Sequence, residues 1–303
     1  MSRAILIMGP TASGKSALAM ALCARIGAEV INADSMQVYR DLHVLTARPS
    51  AADEAEVRHH LYGHVDAAER FSVGKWELQA LAAIQDCWAR GKVAVVAGGT
   101  GLYFRALTHG LSAIPETPEA ISAALRGELA QLGAAALHAR LAQVDPVSAA
   151  RLAPHDGVRI ARALAVFEAS GQPLSDWQGG ACASLAAGAW RGMTLWPDRA
   201  RLYRRIDARF EAMVKGGALE EARALAARGL DPSLPAMRAH GMPWLAQVVS
   251  GPMDLETAIS LSARDTRHYA KRQFTWMRGQ MADWPQLPVG EGGADVEAAL
   301  ALV

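Results

Sequence analysis

Eight consecutive residues, Gly9-Pro10-Thr11-Ala12-Ser13-Gly14-Lys15-Ser16, fit the pattern G-x-x-x-x-G-K-S/T. Glycines let a backbone wrap an anion so that several N–H groups point inward. The helix that follows adds positive potential at its N-terminus, Lys15 adds a full charge, and the Ser16 hydroxyl offers a ligand to Mg²⁺. The run is therefore expected to bind a phosphorylated small molecule.

The next question is what chemistry accompanies the phosphate. Nucleotide hydrolases place a strand-end Asp near the metal. Val93–Ala97 runs instead into Gly98-Gly99-Thr100-Gly101, which offers no carboxylate. Asn32-Ala33-Asp34-Ser35 does offer one, so Asp34 is the candidate metal-side acid or general base. The plainer alternative for Asp34 is an N-cap or turn residue. Asn32 is the only Asn in the chain. Protein-kinase catalytic loops and guanine-recognition motifs both require one elsewhere, which excludes those two classes.

Positioning these residues needs strands and helices in alternation. Ala4–Met8 reads as a buried parallel strand, Lys15–Ile26 as a helix stopped by Gly27, and Glu29–Ala33 as a second strand. Phe71–Arg90 reads as a helix ended by Gly91, and Lys92–Ala97 as a third strand. This spacing predicts an α/β fold, a P-loop NTPase-like core with a parallel sheet flanked by helices. From about Pro115 to Leu185, Ala and Leu dominate and strand-like runs vanish, predicting an inserted all-α subdomain. Met193–Trp196 returns as a strand, and Arg199–Gly279 is helical. The predicted division is a catalytic core over 1–112 and 193–285, a helical insertion over 113–192, and a peripheral tail over 286–303.

The whole chain has 303 residues, 51% of them hydrophobic and 20% charged, enough for a sizeable core and against wholesale disorder. No apolar run approaches the ~20 residues of a membrane span, and the N-terminus shows no signal-peptide pattern. Three scattered cysteines, Cys23, Cys87 and Cys182, argue against a disulfide scaffold and for a reducing, cytoplasmic setting. The net charge of +1 hides a gradient. Residues 113–195 carry 6 basic and 7 acidic side chains, 196–285 carry 14 and 10, and 286–303 carry 3 acids and no base.

Several runs together resemble the tRNA dimethylallyltransferase (tRNA isopentenyltransferase) family. They are the phosphate loop, Ile31-Asn-Ala-Asp-Ser-Met-Gln-Val-Tyr39, Thr46-Ala-Arg-Pro49, His59-His60-Leu61 and Gly98-Gly-Thr-Gly-Leu-Tyr103. Arg159-Ile-Ala-Arg-Ala163, Arg205-Ile-Asp-Ala-Arg209 and Tyr269-Ala-Lys-Arg-Gln-Phe-Thr-Trp276 continue the match in the family's order. The resemblance implies transfer of a dimethylallyl group from dimethylallyl diphosphate to N6 of adenosine-37, just 3′ of the tRNA anticodon, with release of diphosphate and help from Mg²⁺. It implies Asp34, Thr100 and Arg205 as catalytic residues, the loop Gly9 to Ser16 as diphosphate-binding, and Ser16 as the Mg²⁺ ligand. It assigns tRNA contacts to Asp34, Ser35, Met36, Gln37, Thr100, Ser122, Val158, Arg159, Ile160, Ala161, Arg162, Arg267, Lys271 and Arg272. The partners implied are the anticodon stem-loop and dimethylallyl diphosphate, with no membrane and a monomeric enzyme.

Within Arg264–Arg278, cationic residues recur at three- and four-residue steps, forming one stripe suited to tRNA phosphates. The chain departs from the family's usual residues at Met242 and Ser122, which touches individual tRNA contacts and not the chemistry, and Leu45 stands at a usual Gly position before Thr46. Ser16 replaces a common Thr and keeps the hydroxyl. Two alternatives accompany this reading: a small-molecule P-loop kinase binding ATP, and a non-catalytic RNA-binding protein.

Overall fold

The computed structural model describes residues 4–303. The N-terminal residues Met1–Arg3, part of the signal-peptide reading, lie outside that range. The chain divides into two compact units, one of residues 1–108 and 184–303, the other His109–Ala183.

In the first unit the elements run β1 (Ala4–Met8), α1 (Lys15–Ile26), β2 (Glu29–Asn32), α2 (Ala51–Glu56), β3 (His59–His60), α3 (Val73–Ala89), β4 (Ala94–Gly98) and α4 (Gly101–His109). The second unit holds α5 (Glu119–Val144), α6 (Pro146–Arg151), α7 (Gly157–Ser170) and α8 (Leu174–Trp177). The chain re-enters the first unit with β5 (Trp190–Pro197), α9 (Arg199–Met213), a π-helical segment (Val214–Ala218), α10 (Leu219–Ala227) and a short 3₁₀ turn (Ala236–Arg238). It ends with α11 (Met242–Ser250), α12 (Leu255–Gln280), β6 (Gln286–Gly290), β7 (Gly293–Ala294) and α13 (Val296–Leu300).

The seven strands form one sheet in the order β3-β2-β4-β1-β5-β6-β7. Every pairing is parallel except β6 with β7. β1 lies between β4 and β5, with Leu6 opposite Val96 on one side and Gly192 on the other. Its five residues are all buried because both sheet faces are covered. Side-chain alternation sends Ile5 and Ile7 into one core with Leu18 and Leu22 of α1, and Leu6 and Met8 into the other with Trp76 and Ile84 of α3. α1 stops at Gly27, whose φ of 64° suits a residue without Cβ. Because β1, β2 and β4 are parallel, their C-terminal ends meet at one edge and deliver Gly9, Asp34 and Thr100 there.

The terminal residues are no peripheral tail. β6 extends the sheet beside β5, with Leu195 opposite Leu287 and Pro197 opposite Val289. Leu287, Val289 and Ala299 are buried with the α1 core, and Glu297 pairs with Arg25 at 2.6 Å. Pro288 interrupts the sequence pattern but sits on the outward face, so the apolar alternation survives around it. The two-residue β3 carries too short a signal to be legible, and β5 extends three residues upstream of the predicted strand by pairing with β1 from Trp190 onward.

The second unit is entirely helical, with Leu125, Leu137, Leu141, Ile160 and Leu164 in its core. Gly133, at φ 79° and ψ 166°, breaks α5. Asp145 caps α6 by accepting from Ser148 N–H (2.9 Å) and also accepts from Ser175 N–H (3.1 Å). The compact unit spans His109–Ala183, compared with the 113–192 drawn from sequence.

At the opposite end of β2 from Asp34, Glu29 anchors α3 to the sheet. Its carboxylate accepts from both Arg90 terminal nitrogens and from His60 Nε2 (2.7 Å). The Arg90 hydrogen bonds, reinforced by His60, hold Glu29 down at about 2. A depressed carboxylate stabilises the fold above its unfolded value and loses that contribution as pH falls through its folded value. Glu29 is expected to supply up to about 3 kcal/mol above pH ~5, lost toward pH ~2. Urea titrations across that window are expected to show a steeper acid loss for wild type than for Glu29→Gln.

Candidate active site

The loop after β1 is held in shape by close contacts. A Cβ on Gly9 would lie 2.6 Å from Ser13 Oγ, and Gly14 adopts φ 91°. Even Ala12 is held at φ 64°, a conformation that costs a non-glycine residue free energy and recurs at functional loops. Gly14 provides no side-chain cap for α1, so the helix's first N–H groups remain available to a ligand. Ser13 Oγ is buried without a hydrogen-bond partner. Lys15 forms no ion pair among the described residues and is closely enclosed by protein. That burial lowers its ammonium to about 8, despite an opposing pull from Asp34. Donors and charge thus converge on a space that an anion would fill.

Two further cations face this loop from α9. Arg209 is half-buried, desolvation pushes its guanidinium below the usual range, and it donates to Thr11 Oγ1. The Arg205 Nη2 lies 3.9 Å from where a Gly14 Cβ would stand. Residues four apart share a helix face, so Arg205 and Arg209 reach the loop together.

The opposing wall is a hydrogen-bonded network. Asp34 Oδ1 accepts from Met36 N–H (3.0 Å), and among the described residues its Oδ2 accepts nothing. Asn32 orients this turn: its Oδ1 accepts from Asp34 N–H (2.8 Å) and its Nδ2 donates to Asp34 O (2.9 Å). Thr100 N–H donates to Ala33 O (3.1 Å), and Thr100 Oγ1 accepts from Ser35 N–H (2.9 Å). Gln273, 4% exposed, accepts from Thr11 N–H and donates to Gly99 O, both at 2.8 Å. Tyr269, one helical turn earlier, places its hydroxyl against Thr100 and Gln273, and burial raises it above the ordinary phenol range. The His240 ring lies against Tyr269 with centroids 4.6 Å apart, and burial lowers its imidazole.

One pocket joins these walls. Thr11, Asp34, Arg209, His240 and Tyr269 provide its polar side, and Met36, Leu45, Ile206, Phe210 and Met213 its apolar side. Such a cleft accommodates a ligand with an anionic end and a small apolar body. For a metal, Ser16, an exposed residue in the first turn of α1, offers a hard hydroxyl oxygen of the kind Mg²⁺ takes. The cluster Glu29, His60 and Cys87 offers metal-type donors at the far end of β2. There the Glu29 carboxylate is already neutralised by Arg90.

The structure brings Gly9 to Ser16, Asp34, Ser35, Met36, Thr100, Arg205 and Arg272 to this end of the sheet. Gln37 turns aside, its Nε2 donating to Thr46 O (2.8 Å) and Ala47 O (3.1 Å). Ser122 and Val158 to Arg162 belong to the second unit. There Ile160 is fully buried and Ala161 7% exposed, because both sit on the inward face of α7. Their side chains therefore pack within this unit and are not presented at its surface. Val158 is exposed, Arg159 pairs with Asp156 (3.1 Å), and Arg162 bonds Thr117. On α12, Lys271 is exposed and Arg272 lies over the Tyr269 ring, while Arg267 pairs with Asp207. Arg209, His240, Tyr269 and Gln273 were not singled out from sequence. A four-residue step from Arg205 and from Tyr269 was the available signal for Arg209 and Gln273.

A family model described as IPP transferase matches residues 37–280, and one described as isopentenyl transferase matches residues 2–64. The tRNA dimethylallyltransferase of Nitrobacter hamburgensis is 55% identical over 282 residues, covering 93% of this chain and 89% of its own. That of Methylobacterium nodulans is 52% identical and covers 97% of each. Among solved structures, the full-length tRNA isopentenylpyrophosphate transferase of Bacillus halodurans superposes with a TM-score of 0.69 at 31% identity, covering 99% of this chain and 94% of that one. A eukaryotic dimethylallyltransferase acting on tRNA gives a TM-score of 0.76 at 26% identity, covering 95% and 74%.

Lys15 gives the site a pH signature. A bound anion favours the charged ammonium, so binding at pH 8–9 takes up a proton, and affinity falls as pH rises through about 8. Pyrophosphate titrations by calorimetry are expected to show affinity declining toward ~10-fold per pH unit above that value. In Lys15→Met this component of the pH dependence is expected to vanish.

Proposed function

The chain belongs to the IPP transferase family, and on that premise we infer that it is a tRNA dimethylallyltransferase. It moves a dimethylallyl group from dimethylallyl diphosphate to the exocyclic N6 of the adenosine just 3′ of the anticodon. Family membership sets aside the kinase alternative. The observation that best supports this reading is the pocket in which Thr11 of the phosphate loop and the Arg209 guanidinium share a lining with Asp34, whose Oδ2 accepts nothing among the described residues.

The proposed roles follow from charge. The N6–C1 bond forms as the C1–O bond to diphosphate breaks, and the leaving diphosphate keeps the bonding electron pair. The N6 proton passes to Asp34, whose unengaged Oδ2 is available to take it. Negative charge developing on the diphosphate meets Lys15, Arg209, the loop amides and Ser13 Oγ, with the exposed Arg205 adding charge beside the loop. Ser16 would hold Mg²⁺, which when bound would supply further neutralisation of the leaving group. Thr100 keeps Asp34 in place through Ser35. The apolar side of the pocket suits a five-carbon chain, and the target base must leave its stack to enter.

For tRNA, we assign backbone contacts to Lys271 and Arg272 on α12, with Arg267 a weaker contributor because Asp207 neutralises it. Ser122, Val158, Arg159 and Arg162 are assigned to the same substrate from the second unit. Among the described residues no helix is long and apolar enough to cross a membrane. In this reading the enzyme works in the cytoplasm as a monomer.

Incubation with Mg²⁺, dimethylallyl diphosphate and unmodified tRNA, followed by digestion, is expected to yield N6-isopentenyladenosine. Asp34→Asn is expected to lower turnover by about 10²- to 10⁴-fold and leave pyrophosphate affinity within about twofold. Intact turnover would remove Asp34 from the role of base. For tRNA binding, Lys271→Ala is expected to reduce the slope of log K against log salt by about one, and Arg267→Ala by less.

A further inference from the structure

Three consecutive backbone amides, those of His43, Val44 and Leu45, point at one side chain. Glu221 Oε2 accepts from His43 and Val44 N–H, both at 2.7 Å, and Oε1 accepts from Leu45 N–H at 2.9 Å. Successive N–H groups converging in this way form a nest for an anion. Here the anion is the chain's own carboxylate, brought from 176 residues away or more. Charge-assisted hydrogen bonds of this length are the strong kind. The loop's hydrogen bonding is otherwise local: Thr46 Oγ1 donates to Leu42 O (2.7 Å) and Gln37 Nε2 to Thr46 O (2.8 Å).

Both ends of this tie lead to the reacting centre. Leu45 and Thr46 line the pocket beside Asp34, Ser35 and Met36. Glu221 lies in the first turn of α10, which joins α9 through the π-helical segment where Gly217 takes φ 105°. α9 carries Arg209, Phe210 and Met213, the facing side of the same pocket. Glu221 itself does not line the pocket.

We propose that Glu221 is a positioning residue for prenyl transfer. Its carboxylate pins residues 43–45 so that Leu45 and Thr46 form the wall against which the acceptor base is placed opposite Asp34. The proposal rests on the prenyltransferase reading. It assigns Glu221 to the acceptor side because the loop's neighbours in the pocket are residues 34–36. The phosphate loop is held separately, by Gln273.

The test compares Glu221→Gln with Glu220→Gln, whose carboxylate reaches only Arg223. The amide replaces one accepting oxygen with a donor and sets it against a backbone N–H. Glu221→Gln is expected to lower kcat/KM for tRNA prenylation by on the order of 10- to 100-fold, the scale of a small misplacement. Pyrophosphate affinity is expected to stay within about twofold, and Glu220→Gln to match wild type. Hydrogen exchange is expected to quicken at residues 43–46 and not in the loop 9–16. If Glu221→Gln is poorly folded, Glu221→Asp, which keeps both acceptors, is expected to fold and retain part of the activity. Turnover in Glu221→Gln within twofold of wild type would overturn the proposal, as would a parallel loss of pyrophosphate affinity. Failure of wild type to prenylate tRNA would instead refute the functional reading, and the exchange pattern would still report on the tie itself.

Discussion

The buried Gln273 amide joins two loops that the sheet only brings near each other. Its oxygen takes the Thr11 N–H of the phosphate loop, and its nitrogen gives a proton to Gly99 O at the end of β4. Both loops carry backbone polar groups that would otherwise be buried unpaired, at a cost of about 1–3 kcal/mol each. The amide answers both because it offers a donor and an acceptor a fixed distance apart. From this point the remaining order propagates: Gly99 fixes Thr100, Thr100 accepts from Ser35 N–H, and the turn holding Ser35 carries Asp34. The phosphate loop and the Asp34 turn are thus placed relative to each other by one helix, α12.

That same helix explains why glycine is required where the strands end. A Cβ on Gly98 would stand 2.0 Å from Ala33 O, one on Gly99 2.2 Å from Gln273 Nε2, and one on Gly101 2.1 Å from Trp276 Nε1. β4 can therefore lie close enough to β2 and α12 for the network to close only because these positions lack side chains. Lys15 and Arg209 are both pulled toward their neutral forms by burial while Asp34 opposes. In the proposed reaction these cations would meet the negative charge that grows on the leaving diphosphate.

One Asp34 oxygen caps its own turn, and the other accepts nothing among the described residues. Its placement comes from Asn32, the chain's single Asn, which bonds Asp34 N–H and O and reaches Leu61 O. A residue that in sequence served to exclude other phosphotransfer classes is, in the folded chain, the brace of the proposed base.

The sequence by itself determined the local elements that need only short-range physics. The apolar run Ala4–Met8, the phosphate loop, the α1 boundaries and the glycine breaks were all readable, because strand burial, capping and anion binding depend on neighbours along the chain. It also placed Asp34 and Thr100 at strand ends, from which a shared edge followed. Tertiary structure alone decided the partners separated by large sequence distances. Gln273 meets Thr11 across 262 residues and Arg209 meets Thr11 across 198. No periodicity in α9 or α12 states which loop a buried polar side chain will satisfy. Tertiary pairing likewise turned the presumed tail into β6, since a half-buried edge strand interrupted by Pro288 becomes a strand only when β5 offers its free edge. It also turned Ile160 and Ala161 inward, because the face a helix buries is chosen by the helices packed against it.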